Sequence, residues 1–594
     1  MWDLIRSVLF GDGVSSLVSD SGRRRHATSP VAAETQTLEV REVMSASTIH
    51  DWNEVLLDAI RDTRPAPPVA SRAMAIVSTA VFDAVNSIDG RYESYMTFAN
   101  VSPLASKDAA AAAAAHRTLS ALFPSERSYF DAALNATLSA IPRGVYRDAG
   151  IGAGVYVADR ILNARRSDGW DRIVTYVPGD YAGDWNPTAP DYAPAVLPQW
   201  GLVRPWAMSR QNQFLPVAPP SMTSAQYARD LNEVKAIGSA ASRVRTNDQT
   251  NIALFWAGSA GTATPPGQWN MIAQTIAQGE GLSMEESARM YAVLNIALAD
   301  AAITSWNAKY TYDLWRPIDA IQNADLDQNL STVRDANWTP LLKTPAFPTY
   351  TSGHSTFSAA AAAVLSDVFG TDAIGFVARS ELVGVPDRLY TNLRSAAAEA
   401  GLSRIYGGIH FQFDNAAGLS SGDALGRFVA ANCLPMRAGA QVVNGALQVF
   451  GTSRSDTIRI DVWGSSLNIM INGRSMLTTP GTWISCICID AGPGNDDVSI
   501  SSLIGISTTI EGGTGSDRLS GGSGHDTLFG DSGNDILFGN WGNDSLYGGL
   551  GDDTLDGGAG FNSLNAGFGF DTLYINRFRD VFDLGPGRKR IFWR

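Results

Sequence analysis

Three short cationic segments carry the residues able to do chemistry. Phe347-Pro-Thr-Tyr-Thr-Ser-Gly-His354 runs into an Ala-rich, helix-forming stretch, 355–369. Backbone N–H groups, the Ser352 hydroxyl and the His354 imidazole then gather at a helix N-terminus, a position that favours anions. Upstream, Lys309 and Arg316 stand seven residues apart, about two helical turns, which predicts that both project from one helix face. Downstream, Gly407-Gly408 lets the chain turn between Arg404 and His410, so that both point inward from one corner. Lys309, Arg316, Arg404, His354, His410, Ser352 and the Gly353 amide together make a cage for a compact, multiply charged tetrahedral oxyanion. No carboxylate cluster or Cys set in these segments competes for a hard cation. Two carboxylates are candidates to support the cage from behind: Asp414, four residues past His410, and Asp300, on the helix leading to Lys309.

The elements that must position these groups are helical. Apolar residues recur at helical spacing from Ile49, and further helices are predicted over 73–88, 107–122, 126–141, 152–167, 224–239, 248–256 and 284–309. Between them, 168–222 is rich in Pro, Trp, Gly and Tyr and reads as a long ordered loop at the mouth of a pocket. The stretch 49–436 is predicted to be one all-α bundle. Residues 437–510 alternate apolar and polar side chains and read as strands.

From Gly512 a nine-residue period sets in. Its sixth place is Asp517, Asp526, Asp535, Asp544, Asp553 and Asp571, with Asn562 as the exception. Its eighth is Leu each time, from Leu519 to Leu573. Glycines permit tight turns with inward carbonyls, and the Asp carboxylates complete an all-oxygen shell suited to Ca²⁺. The Leu row is the thin core of a parallel β-roll over 511–575, and 576–594 is left as a C-terminal tail. Ala491 to Asp496 reads as an isolated earlier turn. The architecture is thus multidomain: an all-α helical-bundle catalytic domain, then an all-β region ending in a parallel β-roll.

The three cationic segments resemble the signature shared by vanadium-dependent haloperoxidases and the type 2 phosphatidic-acid-phosphatase superfamily: Lys-x6-Arg-Pro, Pro-Ser-Gly-His and Ser-Arg-x5-His. The first and third are matched in full by Lys309 to Pro317 and Ser403 to His410. The second departs at Thr351, where Pro is usual, which removes a fixed φ but no ligand. The flanking Trp315, Phe347 and Phe411 to Asp414 look more like haloperoxidases than small phosphatases. The resemblance implies vanadate ligated by His410, its oxygens neutralised by Lys309, Arg316 and Arg404 with help from Ser352 and Gly353. It also implies His354 as acid–base group, Lys309 polarising hydrogen peroxide toward halide, hypohalous acid passed to a small organic acceptor, and Phe347 in halide choice, leaning towards chloride. With phosphate as substrate instead, His410 would be the nucleophile of a phosphohistidine enzyme and His354 the proton donor. A third reading is an exported calcium-binding or adhesive protein whose helical domain is inactive. The nonapeptides resemble the calcium-binding repeats of RTX proteins, which usually accompany export, so the expected location is extracellular or at the cell surface.

Composition narrows the field. The chain has 594 residues and a formal charge of −14. Residues 491–571 hold twelve Asp or Glu and one Arg, a segment built for cations and not for nucleic acid. No uninterrupted apolar run reaches the ~20 residues of a membrane span. Cys433, Cys486 and Cys488 give no disulfide framework. Residues 1–48 read as a leader or disordered tail with a basic cluster at 23–26 and no secretory h-region. Nothing in the sequence sets an oligomeric state.

Overall fold

The computed structural model describes residues 48–258, 261–443 and 445–594. The leader reading lies outside the described residues but for its last position. Helix runs from 48 to 63 and again over α1, Pro67–Asp89. Pro at the first turn and Gly90 at φ 75° delimit α1. By length and composition α1 is apolar enough to cross a membrane, although the sequence reading found no such run. Of its apolar 18-residue window 94% is buried inside the bundle, and it serves as a core helix.

The helix that leads to the cage, α2, is Met284–Tyr312. A capping box of Ser283 and Glu286 opens it, and Asp313 at φ 48° closes it. The chain therefore leaves the helix before Arg316, which is instead the N-cap of Pro317–Gln322. Lys309 and Arg316 do not share a helix face as their spacing predicted. The left-handed residue between them turns Arg316 back toward the last turn of α2.

Three further helices complete the frame: α3, Gly353–Val368; α4, Leu393–Tyr406; and α5, Gln412–Asn432. Ser352 caps α3 by accepting the Ser355 N–H. Glycines at four-residue spacing on α5 set how closely it approaches α3. A Cβ on Gly418 would lie 2.8 Å from the Ser352 carbonyl, on Gly422 2.3 Å from that of Thr356, and on Gly426 2.5 Å from that of Ala360. This ridge holds the Ser-Gly-His turn against the His410–Asp414 corner. Gly422→Ala is therefore expected to cost about 1–3 kcal/mol by overpacking, read as a lower midpoint of the helical-domain transition in thermal unfolding.

A two-stranded antiparallel ribbon, Phe376–Ala378 with Arg388–Tyr390, interrupts the helices. After α5 the described residues build two sheets of eight and nine strands, mostly parallel, whose successive turns alternate between them. The Leu row stacks in register, Leu519 on Leu537 on Leu555 on Leu573, each fully buried. Parallel stacking already starts upstream of the repeats, where Ala446–Phe450 pairs with Cys486–Asp490 and Thr457–Trp463 with Asp497–Ile500. The segment read as a tail supplies two more strands, Val581–Asp583 and Lys589–Trp593, which add to the ends of the sheets. The bundle meets the roll through Arg91, which pairs with Asp490, and through Gln441, which donates to the Asp89 carbonyl.

Candidate active site

The cage is assembled from the end of α2, the start of α3 and the α4–α5 corner. Lys309 is fully buried, and its ammonium donates to the carbonyls of Pro348 at 3.1 Å, Thr349 at 3.0 Å and Thr351. Those three bonds tie α2 to the loop preceding Ser352. Arg316 is equally buried and donates to the carbonyls of Phe347 at 2.7 Å and Ile409 at 2.8 Å. The Phe347 ring lies under both cations, 4.9 Å from the Lys309 ammonium and 4.7 Å from the Arg316 guanidinium. A ring face attracts cations, so Phe347 holds two like charges together.

Gly408, at φ 79°, makes the turn between α4 and His410, and its approach to the Gly238 carbonyl leaves no room for a side chain. At the corner, His410 Nδ1 sits 2.9 Å from the Asp414 carboxylate and 3.2 Å from the Thr349 hydroxyl. The carboxylate oxygen also accepts from Thr349 and from the Phe411 N–H. With the Nδ1 proton donated to Asp414, the Nε2 lone pair faces the cage, where Arg316 Nη1 stands at 3.2 Å. Arg404 donates to the Trp256 carbonyl at 3.2 Å. The half-buried His354 ring lies beside the backbone of Trp256 and Ala257.

Several polar atoms remain. Arg316 Nη2, Arg404 Nε, His354 Nε2 and Ser305 Oγ are buried without a hydrogen-bond partner among the described residues. Buried polar groups without partners are costly, and two of these are arginine donors, so the cage fits a multiply charged oxyanion. Gly353 adds a cradle: a Cβ there would lie 3.6 Å from the Trp306 ring and 3.7 Å from Ser305 Oγ. Glycine leaves that space to a ligand. The donor set is all nitrogen and hydroxyl, suited to vanadate or phosphate and not to a bare cation.

Electrostatics agree. Burial pushes Lys309 well below its ordinary value, and Arg316 adds to the effect. Burial lowers Arg316 and Arg404 to about 9. Both histidines fall well below 6.5, first through burial, then through the neighbouring cations: Arg404 acts on His354, Arg316 and Lys309 on His410. Burial raises Asp414 to about 6 against the opposing hydrogen bond from Thr349. Each cationic group thus holds its proton more weakly in the free cage than it would beside an anion. Anion binding takes up protons, and the linked stabilisation grows as pH falls. Sulfate, which does not titrate in this range, is expected to raise the unfolding midpoint more at pH 6 than at pH 8 relative to chloride at equal ionic strength. Differential scanning fluorimetry measures it.

One expected support lies elsewhere. Asp300 is fully buried, but its carboxylate accepts the N–H groups of Trp206 at 2.7 Å, Ala207 at 2.8 Å and Met208 at 2.9 Å. It anchors the aromatic loop and orients none of the cage cations, because three amides saturate it. Asp83 on α1 does the same for residues 95–97. Trp315 packs behind the cage, its Nε1 donating to the Tyr227 hydroxyl at 3.1 Å, and belongs to an apolar cluster with Phe411 and Phe413. Sequence reasoning missed Thr349, Ser305 and the Trp256 carbonyl. Ser305 had a signal, one helical turn before Lys309; a backbone carbonyl has none.

In the roll, Asp517, Asp535, Asp544 and Asp553 each keep one carboxylate oxygen, Oδ2, buried and without a partner among the described residues. Asp526 uses its second oxygen to accept the Gly522 N–H. Among the described residues no three His, Cys, Asp or Glu side chains converge as a metal cluster. A cation here would be held by one carboxylate per turn together with glycine carbonyls, as in hard-cation sites. Asp571 differs from the expectation of a calcium ligand: it pairs with the Lys589 ammonium.

Comparison with known proteins follows the same division. Residues 289–438 match the family described as the VCPO second helical-bundle domain. Residues 507–537 and 538–573 match the RTX calcium-binding nonapeptide repeat. The vanadium chloroperoxidase of Curvularia inaequalis is 28% identical over 392 residues, which covers 52% of this chain and 63% of that protein. The chain thus matches just under two thirds of that curated relative's length. A solved structure described as the first bacterial vanadium-dependent iodoperoxidase superposes with a TM-score of 0.59 at 28% identity, over 65% of this chain and 96% of that one. A bacterial vanadium-dependent chloroperoxidase shares the fold, with a TM-score of 0.50 at 15% identity, over 63% of this chain and 96% of that one. The chain therefore joins a vanadium-chloroperoxidase-like helical domain, homologous to the vanadium haloperoxidases, to C-terminal RTX calcium-binding repeats.

Proposed function

We propose that the cage holds vanadate and that the protein oxidises halide with hydrogen peroxide to hypohalous acid, which reacts with a small organic acceptor. The observation that carries this reading is the set of buried, unpartnered donors around the His410 Nε2 lone pair. Bound vanadate supplies Lewis-acid activation of peroxide. His410 offers Nε2 as the metal ligand, with Asp414 fixing its tautomer and ring plane. Arg316, Arg404, Ser352 and the Gly353 amide neutralise and orient the oxyanion. Lys309, whose three donors are taken by the carbonyls of Pro348, Thr349 and Thr351, would act on the peroxide through its charge and not through a hydrogen bond. His354 is neutral near pH 7 because burial and Arg404 depress it, so it is ready to accept the proton of incoming peroxide.

Homology to enzymes of this family supports peroxide and halide as substrates. Chloride, bromide and iodide all belong in the test, since the relatives are named for chloride and iodide. The RTX repeats and their demand for calcium support an extracellular location. The experiment is halogenation of a dimedone-type reporter by protein loaded with orthovanadate, with p-nitrophenyl phosphate hydrolysis run beside it without vanadate. Vanadate-dependent halogenation is the expected result. Ester cleavage without halogenation would reject the reading in favour of a phosphatase using the same residues.

A further inference from the structure

The nonapeptide motif and the carboxylate column it builds do not begin and end at the same turn. On one side of the roll, successive turns are joined by backbone N–H groups that donate to the carboxylate of the next turn. Asp456 donates to Asp496 at 2.6 Å and Asp496 to Asp517 at 2.8 Å. Asp517 donates to Asp535 at 2.8 Å, Asp535 to Asp553 at 2.9 Å and Asp553 to Asp571 at 2.9 Å. One column thus runs from Asp456 to Asp571, although the repeats span 507–573.

The second oxygen of each carboxylate shows where cages stand open. Those of Asp496, Asp517, Asp535 and Asp553 are buried without a partner among the described residues. At the head, Asp456 is saturated: it accepts from the Thr452 amide and hydroxyl and from the Asn472 side chain. At the foot, Asp571 meets the ammonium of Lys589. Lys589 stands eighteen residues beyond Asp571, at the sixth place of the next turn on that side. Its side chain is 5% exposed and turns back into the preceding cage. There it donates to the carbonyls of Gly567 at 3.0 Å, Gly569 at 3.2 Å and Pro586 at 2.9 Å as well as to Asp571. Carbonyls of the second and fourth places plus the sixth-place carboxylate are the oxygens a hard cation would use. An ammonium, with three donors and a single charge, satisfies the same oxygens.

The turn at Asp496 lies outside the matched repeats yet stacks as they do. A Cβ on Gly515 would come within 1.6 Å of the Gly494 carbonyl, the same approach that Gly533 makes to the carbonyl of Gly515. Asp496 itself is 2% exposed. A carboxylate buried without a partner is costly unless a cation joins it.

We propose that the calcium column is displaced by one turn from the repeat motif: Asp496 closes a calcium cage before the repeats begin, and the Lys589 ammonium takes the place of calcium at Asp571. On this side the roll still holds four cages, at Asp496, Asp517, Asp535 and Asp553, bounded at each end by the chain's own donors. The inference is independent of the halide chemistry.

The test is the number of calcium ions bound per full-length chain, from equilibrium dialysis against calcium with atomic absorption. Asp496→Asn should lose one ion relative to the parent, Asp571→Asn none, and Lys589→Ala should gain one. Loss of an ion in Asp571→Asn, or an unchanged count in Asp496→Asn, overturns the assignment. An unchanged count in folded Lys589→Ala overturns the lysine's role. Should Lys589→Ala fail to fold, the two Asp variants still decide, because both keep the lysine.

Discussion

His410→Ala is expected to lower vanadate-dependent halide oxidation at least about a hundredfold, beyond the ~10–100-fold typical of losing an outer-shell partner. The variant removes the lone pair that faces the unpartnered donors. It should leave the fold in place, because Thr349 and the Phe411 N–H still hold the Asp414 carboxylate. Asp414→Asn makes the finer comparison. It keeps the imidazole but weakens the acceptor at Nδ1, so vanadate affinity should fall by about 10–100-fold. Initial halogenation rates at several vanadate concentrations separate the two: added vanadate rescues Asp414→Asn and does not rescue His410→Ala. Rescue of His410→Ala by excess vanadate would place the metal ligand elsewhere.

Calcium removal is expected to unfold the roll and leave the helical bundle standing. The roll's core is one Leu per turn, too thin to hold stacked carboxylates together without a cation. Burial drives the carboxylates up, Asp535 and Asp496 to about 8 and Asp544 to about 7. In the calcium-free chain each such group stabilises the folded state below the unfolded value of 3.8, and that contribution is lost as pH rises through the raised value. The calcium-free roll should therefore be firmer at pH 5 than at pH 8. With calcium the order reverses, since cation and proton compete for the same oxygens. Each site filled at a hundredfold excess over its Kd adds about 2.7 kcal/mol, so several sites together decide the fold. Hydrogen exchange in chelator should expose amides of 512–560 at pH 8 while those of α2 and α3 stay protected. Equal exchange with and without calcium would refute the expectation.

What the sequence made legible follows from how local each signal is. The nonapeptide period is read directly, because each turn of the roll is one motif long and the Leu row has no alternative place to go. The cationic residues were also plain, since few structures need five of them so close to Ser-Gly-His. Their geometry was less plain. The left-handed Asp313 between Lys309 and Arg316 has no strong sequence signal, because an Asp accepts that conformation only where packing demands it. The four-residue offset from His410 to Asp414 pointed to the pair now seen at 2.9 Å. The same kind of argument misplaced Asp300, whose partners are three amides of a loop nearly a hundred residues away in the chain. Such long-range contacts leave no periodicity. Lys589 escaped for another reason: a search for Asp at the sixth place passes over a Lys in the same register, although that substitution shows where the column stops.

The central claim is that His410 and the surrounding cations bind vanadate. It is tested most directly by ⁵¹V nuclear magnetic resonance during titration of the calcium-loaded protein with orthovanadate. One protein-bound vanadate per chain in the parent, displaced by excess phosphate and lost in His410→Ala, is the predicted result. Bound vanadate that persists undiminished in His410→Ala, or none bound by the parent, would contradict the account.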